Sequence, residues 1–367
     1  MIPIITKLNE DQEHAMNQSK LFTLVAATSL SLSIGCSSKK PEAPAKEPAA
    51  EAKPAAPATA VKAETLALFQ PALEAKGGAG LTDAQKAVTD LGRHLYYEER
   101  LSGNDKISCN TCHLLDNFGV DGVDFSKGVP GEKVPRNSPT VYNAFMHVAQ
   151  FWDGRAADVE EQAKGPILAG KEMGMPSAEA VVKKLKGIKE YRPLFAKAFP
   201  ADKDPLTYDN VGKAIGAFER ELTTPSKFDA FLNGDAAALS DAEKDGLNKF
   251  AEVGCTTCHM GTLLGGSIYQ KAGLVKPWPN QKDQGRFGVT QKEEDKMMFK
   301  VPSLRNIAKT GPYFHDSSAT SLEQAIQIMG SHQLGKDLKP DEVKSIATFL
   351  NALTGEVPTA YIKRQPL

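Results

Sequence analysis

A chain of 367 residues, 41% apolar and 24% charged, has material for two or three modest domains and the composition of a globular protein. A formal net charge of −1 offers nothing global for binding nucleic acid or for electrostatic attachment to a membrane surface. Five cysteines are too few for a disulfide framework; four fall into two short repeats, which leaves Cys36 alone.

In chain order, the first feature is an apolar and small-residue stretch from Leu21 to Ile34, preceded by Lys20 and ending at Gly35-Cys36. It is too short to span a bilayer and reads as the core of a signal peptide, with Met16 as the start. A cysteine directly after a small residue resembles a lipoprotein cleavage site, so residues 1–36 are assigned to a signal or lipoprotein-like segment. Ser33, where leucine is usual, keeps plain secretory cleavage open as the alternative. Residues 37–64, rich in Ala, Pro, Lys and Glu, lack the apolar surface to offset ordering entropy and are expected to form a disordered tether. The folded part is therefore expected on the export side of a membrane, in the periplasm, anchored through a lipidated Cys36 or released from it.

Helical signals dominate after that. Thr82 with Gln85 forms a capping box before Val88, Leu91 and Leu95, and Ser240 with Glu243 repeats the device before Leu247 and Phe250. A helical stretch runs from Val211 to Leu222. Ser321 with Gln324 opens a helix carrying Ala325, Ile326 and Met329. Pro340 starts a last helix with Val343, Ile346, Ala347 and Leu350 on one face and Gly355 as its stop. No convincing run of alternating strands occurs, and the Gly/Pro-rich stretches 114–140 and 260–302 read as loops wrapped around a large prosthetic group. The fold class expected is all-α.

The chemistry lies in two pentapeptides. One is CNTCH, with Cys109, Cys112 and His113; the other is CTTCH, with Cys255, Cys258 and His259, its histidine 146 positions after the first. Two residues between the cysteines match the spacing of the vinyl groups of a haem, to which the thiols add, and the adjacent histidine faces the iron. One C-x-x-C alone is equally a redox pair or half of a zinc site. Two complete C-x-x-C-H units, with both histidines locked beside a cysteine, specify two covalently bound c-type haems. Haem attachment of this kind takes place outside the cytoplasm, in agreement with the signal segment. The repeated order of capped helix, motif, long loop and further helices gives two cytochrome c-like haem lobes, residues 65–224 and 225–367, divided near Thr224–Pro225.

The sixth iron position then separates electron transfer from peroxide chemistry. For the second haem Met329, 70 positions after His259, is the candidate thioether; on pattern alone it is as often a helix-face core residue. His315 and His332 are competing ligands. Met260 adjoins the proximal histidine, and Met297 and Met298 lie in a charged loop.

Six stretches, PRNSPTVYNA (Pro135–Ala144), QFWDGR (Gln150–Arg155), EQAKGP (Glu161–Pro166), PSLRN (Pro302–Asn306), GPYFH (Gly311–His315) and IMG (Ile328–Gly330), closely resemble the bacterial dihaem cytochrome c peroxidases. The likeness runs from about residue 80 to 355. It implies that the haem on His113 is the peroxide site, with Glu172 as acid/base and Gln162 as its polar partner. It implies that the haem on His259 and Met329 receives electrons from a small cytochrome c or copper protein, with Trp152 between the haems. It further implies a calcium ion held by Asn137 and by the carbonyls of Thr310 and Pro312, and a homodimer. One departure stands out: many members carry a distal histidine after the first motif, and here Val129 occupies that place, with no histidine from Leu114 to Met146. The peroxide-site iron is then expected to be open or water-bound in the oxidised enzyme, and His147, nearby, is more readily a packing histidine than a substitute. The function expected is an exported peroxidase that reduces hydrogen peroxide to water without reductive activation. The alternatives are a dihaem electron carrier and a dihaem enzyme that oxidises a partner protein; the second carries tyrosine where Met329 stands.

Overall fold

The computed structural model describes residues 59–72, 74 and 76–367. The signal segment, Cys36 and the tether up to residue 58 lie outside the described residues. From Thr59 the chain is docked, which corrects the tether's expected end at Glu64. The Thr59 N–H donates to Asp241 at 3.1 Å and Asn248 donates to the Ala60 carbonyl at 3.0 Å. Val61 and Leu66, flanking and ending the single turn α1 (Ala63–Leu66), pack on a hydrophobic core. Two apolar side chains in a polar-looking stretch are enough to hold it once a partner face exists.

The Thr82/Gln85 capping box starts α2 (Asp83–Tyr96), whose Leu91 and Leu95 are fully buried. Ser108 and Thr111 form another box around α3 (Cys109–Cys112), so the first cysteine pair is displayed on one helical turn. Next come α4 (Val159–Leu168), α5 (Ala178–Lys186), α6 (Tyr191–Ala198) and α7 (Tyr208–Glu219). Helices α2 and α7 pack so closely that a Cβ on Gly92 would meet the Ala214 carbonyl at 1.8 Å. Their apolar faces, with those of α4 to α6, make a first core.

The second half contains α8 (Lys227–Leu232), α9 (Asp241–Val253), the antiparallel pair β1 (Tyr269–Lys271) and β2 (Met298–Lys300), and α10 (Phe287–Thr290). Directly after α9, the second cysteine pair sits on a tight turn that begins at Cys255, with Cys258 closing it. The half ends with α11 (Leu322–Leu334), α12 (Pro340–Asn351) and α13 (Thr359–Ile362). Helices α9 and α12 pack Leu247, Phe250, Ile346 and Phe349 into a second core. The two strands correct the reading of 260–302 as loop alone. Each is three residues long, too short to show a period-2 pattern. Gly355 is likewise not the helix stop; α12 ends at Asn351, and a Cβ on Gly355 would lie 2.2 Å from the Thr224 carbonyl. Glycine there lets two segments touch.

The cores are joined rather than merely adjacent. The chain crosses between them: Phe69, from before α2, belongs to the second core and packs edge-on against Phe228 at 5.5 Å between centroids, while Tyr361, near the C-terminus, belongs to the first and stacks on Phe218 at 5.1 Å. Thr224, at the expected divide, accepts from Asn143 and from Asn306, both at 2.8 Å, in a buried cluster. Arg305 is 1% exposed and grips Asp229 with two 2.7 Å bonds, tying the PSLRN segment to α8.

Candidate active site

Each pentapeptide opens into a cavity. Cys109, Cys112 and His113 line the first; Cys255, Cys258 and His259 line the second, as the two motifs lead one to expect. In the first, His113 Nδ1 lies 2.9 Å from the Pro139 carbonyl; in the second, His259 Nδ1 lies 2.9 Å from the Leu264 carbonyl. A carbonyl can only accept, so Nδ1 carries the proton and Nε2 is left with a lone pair. Among the described residues nothing hydrogen-bonds either Nε2. Burial holds both imidazoles below their usual pKa, which favours the neutral, ligating form. The four cysteines form no disulfide. Burial pushes the Cys112 thiol up to about 11 and Cys255 to about 12, so both favour the neutral thiol in these surroundings.

The first cavity has a free volume of about 910 Å³. Gln162 enters it from α4 and Glu172 from the loop after that helix. The Glu172 loop is pinned: its backbone carbonyl accepts from Val129 at 2.7 Å, and a Cβ on Gly128 would stand 1.8 Å from the Lys171 carbonyl. Burial raises the Glu172 pKa, opposed by the charge of Arg155, which lies over the Phe151 ring at 3.4 Å. Gly128 faces the cavity, whereas the Val129 side chain packs beside Gly174. His113 is the sole histidine on the wall among the described residues. His147 is absent from that wall and instead places Nδ1 2.9 Å from Lys300 Nζ.

The second cavity is tighter, about 230 Å³, and α11 presents Met329 to it together with Ala325 and Ile326. His315 also reaches this wall, stacked on Phe299 at 4.1 Å; His332 does not, its Nδ1 being held near the Lys276 and Pro277 carbonyls. Trp152 lines both cavities, its indole N–H donating to the Asn137 carbonyl at 2.9 Å. Asn137, Thr310 and Pro312 come together on the second cavity's wall. Among the described residues no cluster of three or more His, Cys, Asp or Glu could hold a metal, so any ion there relies on amide and backbone oxygens.

The family pattern described as di-haem cytochrome c peroxidase matches residues 86–237. The chain is also 44% identical over 316 residues to the cytochrome c551 peroxidase of Pseudomonas aeruginosa, spanning 84% of this chain and 90% of that protein. It belongs to the di-haem cytochrome c peroxidase family. A second family member, the cytochrome c551 peroxidase of Nitrosomonas europaea, is 45% identical over 280 residues, 76% of this chain and 83% of that one. A solved MauG-like protein associated with microbial copper homeostasis has the same fold, at TM-score 0.67 and 29% identity over 80% of this chain and 94% of its own. The family's two c-type haems fit the two cavities: each offers a pair of cysteine thiols, a neutral imidazole with a free Nε2, and largely apolar walls.

Other wall residues escaped the sequence reading. Glu219 on α7 is 4% exposed, faces the first cavity, and burial lifts its pKa to about 8. Its signal was a carboxylate four residues after the fully buried Ile215, on a helix's apolar face. Phe287, Gly288 and Val289 of α10 also wall the first cavity from the far half of the chain. Arg136 bonds both Asp153, at 2.6 Å, and Asp283, at 2.6 Å, and so fastens that segment. Nothing local in the sequence marks that closure.

Proposed function

We propose that this protein reduces hydrogen peroxide to two waters in the first cavity, using two protons and two electrons that arrive through the second. The observation that carries the reading is the inequality of the two cavities: one roomy with a half-buried carboxyl, the other tight with a thioether. Cys109, Cys112 and His113 would hold a haem in the first cavity, which would supply the iron at which peroxide is reduced. Glu172 takes a proton from the nearer peroxide oxygen and returns it to the leaving one, its raised pKa suiting it to both tasks. Gln162 orients the peroxide by hydrogen bonding. Met329, on the same cavity wall as His259, would ligate the iron of the haem held there, and methionine ligation would raise its reduction potential, as suits an electron-receiving station. Trp152, on both walls, lies between them.

Asn137 with the Thr310 and Pro312 carbonyls binds calcium and stiffens the wall that Trp152 shares. The replacement of the distal histidine by Val129 supports a peroxide site open at rest, needing no reductive activation. A small cytochrome c or copper protein is the donor, and the enzyme works in the periplasm as a homodimer, tethered through Cys36 if lipidated. Steady-state turnover of the fully oxidised and half-reduced holoenzymes with peroxide and a competent donor tests the core reading; no turnover in either state ends it. Low-temperature EPR of the oxidised enzyme tests the open site, which a wholly low-spin haem with two nitrogen ligands at His113 would refute.

A further inference from the structure

Lys300 ends strand β2 and, at 7% exposure, is the one buried lysine among the described residues. Its backbone N–H donates to the Trp152 carbonyl at 2.8 Å, and the residue lines the second cavity together with His259 and Met329. No carboxylate of the described residues lies within 4.0 Å of its Nζ; the polar side-chain atom it meets is His147 Nδ1 at 2.9 Å. That contact leaves the buried Nε2 of His147 without a partner. A buried ammonium with no counter-charge, aimed by an imidazole with an orphaned nitrogen, is strongly disfavoured in an otherwise well-satisfied protein. Both costs fall where the cavity has to seat a group bearing two carboxylates. Burial also pulls Lys300 down to about 8, the direction expected of an amine that lacks its anion.

We propose that Lys300, positioned by His147, binds a carboxylate of the haem held by His259 and Met329 and biases that haem toward its reduced state. The inference rests on the reading that the second cavity holds this haem. A cation beside the carboxylate offsets the negative charge added on reduction, so removing it favours the oxidised form. His147 is a positioning residue: it touches Lys300 and fixes where Nζ points.

The test is a spectroscopic redox titration of the holoprotein carrying both haems. In Lys300→Met the reduced-to-oxidised ratio of the methionine-ligated haem at fixed potential is expected to fall about tenfold, which is about 59 mV. The haem at His113 should move less than twofold. Lys300→Arg should stay within about threefold of wild type, and Lys300→Gln, which keeps a polar head in the site, should follow Lys300→Met. His147→Leu should lower the ratio about threefold, and His147→Asn should restore part of that. An unchanged midpoint in both Lys300→Met and Lys300→Gln, or equal shifts at both haems, overturns the proposal. The underlying reading fails separately: if Met329→Ala leaves the methionine-ligation spectrum intact, that haem is not seated as stated, whatever Lys300 does.

Discussion

The two cavities start from one local device and end differently. Each has two thiols on a short helical turn and an imidazole whose Nδ1 sits 2.9 Å from a backbone carbonyl. Beyond that shared device the first has about 910 Å³ of space with Glu172 and Glu219 on its wall, whereas the second has about 230 Å³ and Met329. In the proposed reading attachment and reactivity are separable: five contiguous residues decide where a haem goes, and Glu172 and Met329, 59 and 70 positions further on, decide what it does.

The largest effect that could break this comparison is on turnover. Glu172→Gln should lower peroxide turnover by about 10²–10⁴-fold while leaving the second haem's spectrum unchanged; a loss under about tenfold would remove the first cavity's distinguishing chemistry. In the wild type the acidic limb of kcat/KM should lie above the ordinary glutamate range, because burial raises the Glu172 pKa and its base form is lost as pH falls through that value. The limb should vanish in the variant.

The next effect should be confined to the second core. Arg305→Met strands the buried Asp229 carboxylate, and a denaturant titration should show a loss of about 3–5 kcal/mol. Persistence of the α2/α7 core after the second has melted would show that the lobes are energetically distinct.

Glu219 offers a smaller test of the first cavity's dryness. Its pKa near 8 in the folded protein exceeds its unfolded value, so the folded state binds the extra proton. The associated stability is present below the unfolded pKa and lost as pH rises toward about 8. Glu219→Gln should abolish that decline, on the order of a few kcal/mol across the window. Equal slopes in both proteins would mean that this wall is wet.

Smallest is Gly128→Ala, whose Cβ would collide with the Lys171 carbonyl. A cost of about 1–3 kcal/mol, with Glu172 displaced and turnover reduced, is expected. Full activity would show that the Glu172 loop needs no pinning.

Legibility in the sequence followed the range of the interactions. The Thr82 and Ser240 capping boxes were readable because they involve residues three apart. At Ser321 only half the pattern survives: Ser321 caps the Gln324 N–H, but the Gln324 side chain accepts from Thr320 instead. Strands β1 and β2 were unreadable because three residues carry no period, and Gly355 was misread because its neighbour Thr224 lies 131 positions away. The functional side chains named from resemblance, Glu172, Gln162, Trp152 and Met329, all reach a cavity wall. Lys300, Arg136 and α10 were missed because their partners come from distant stretches of chain.

What the sequence alone determined is whatever short-range covalent and helical chemistry can specify: two attachment pentapeptides, their proximal histidines and the starts of α2, α9, α11 and α12. Only the tertiary structure decided which cavity keeps room, which receives a thioether, and that a late segment walls the early cavity. Those outcomes depend on packing between residues far apart in the chain. Burial there, rather than residue type, sets the state of Glu172, Glu219 and Lys300.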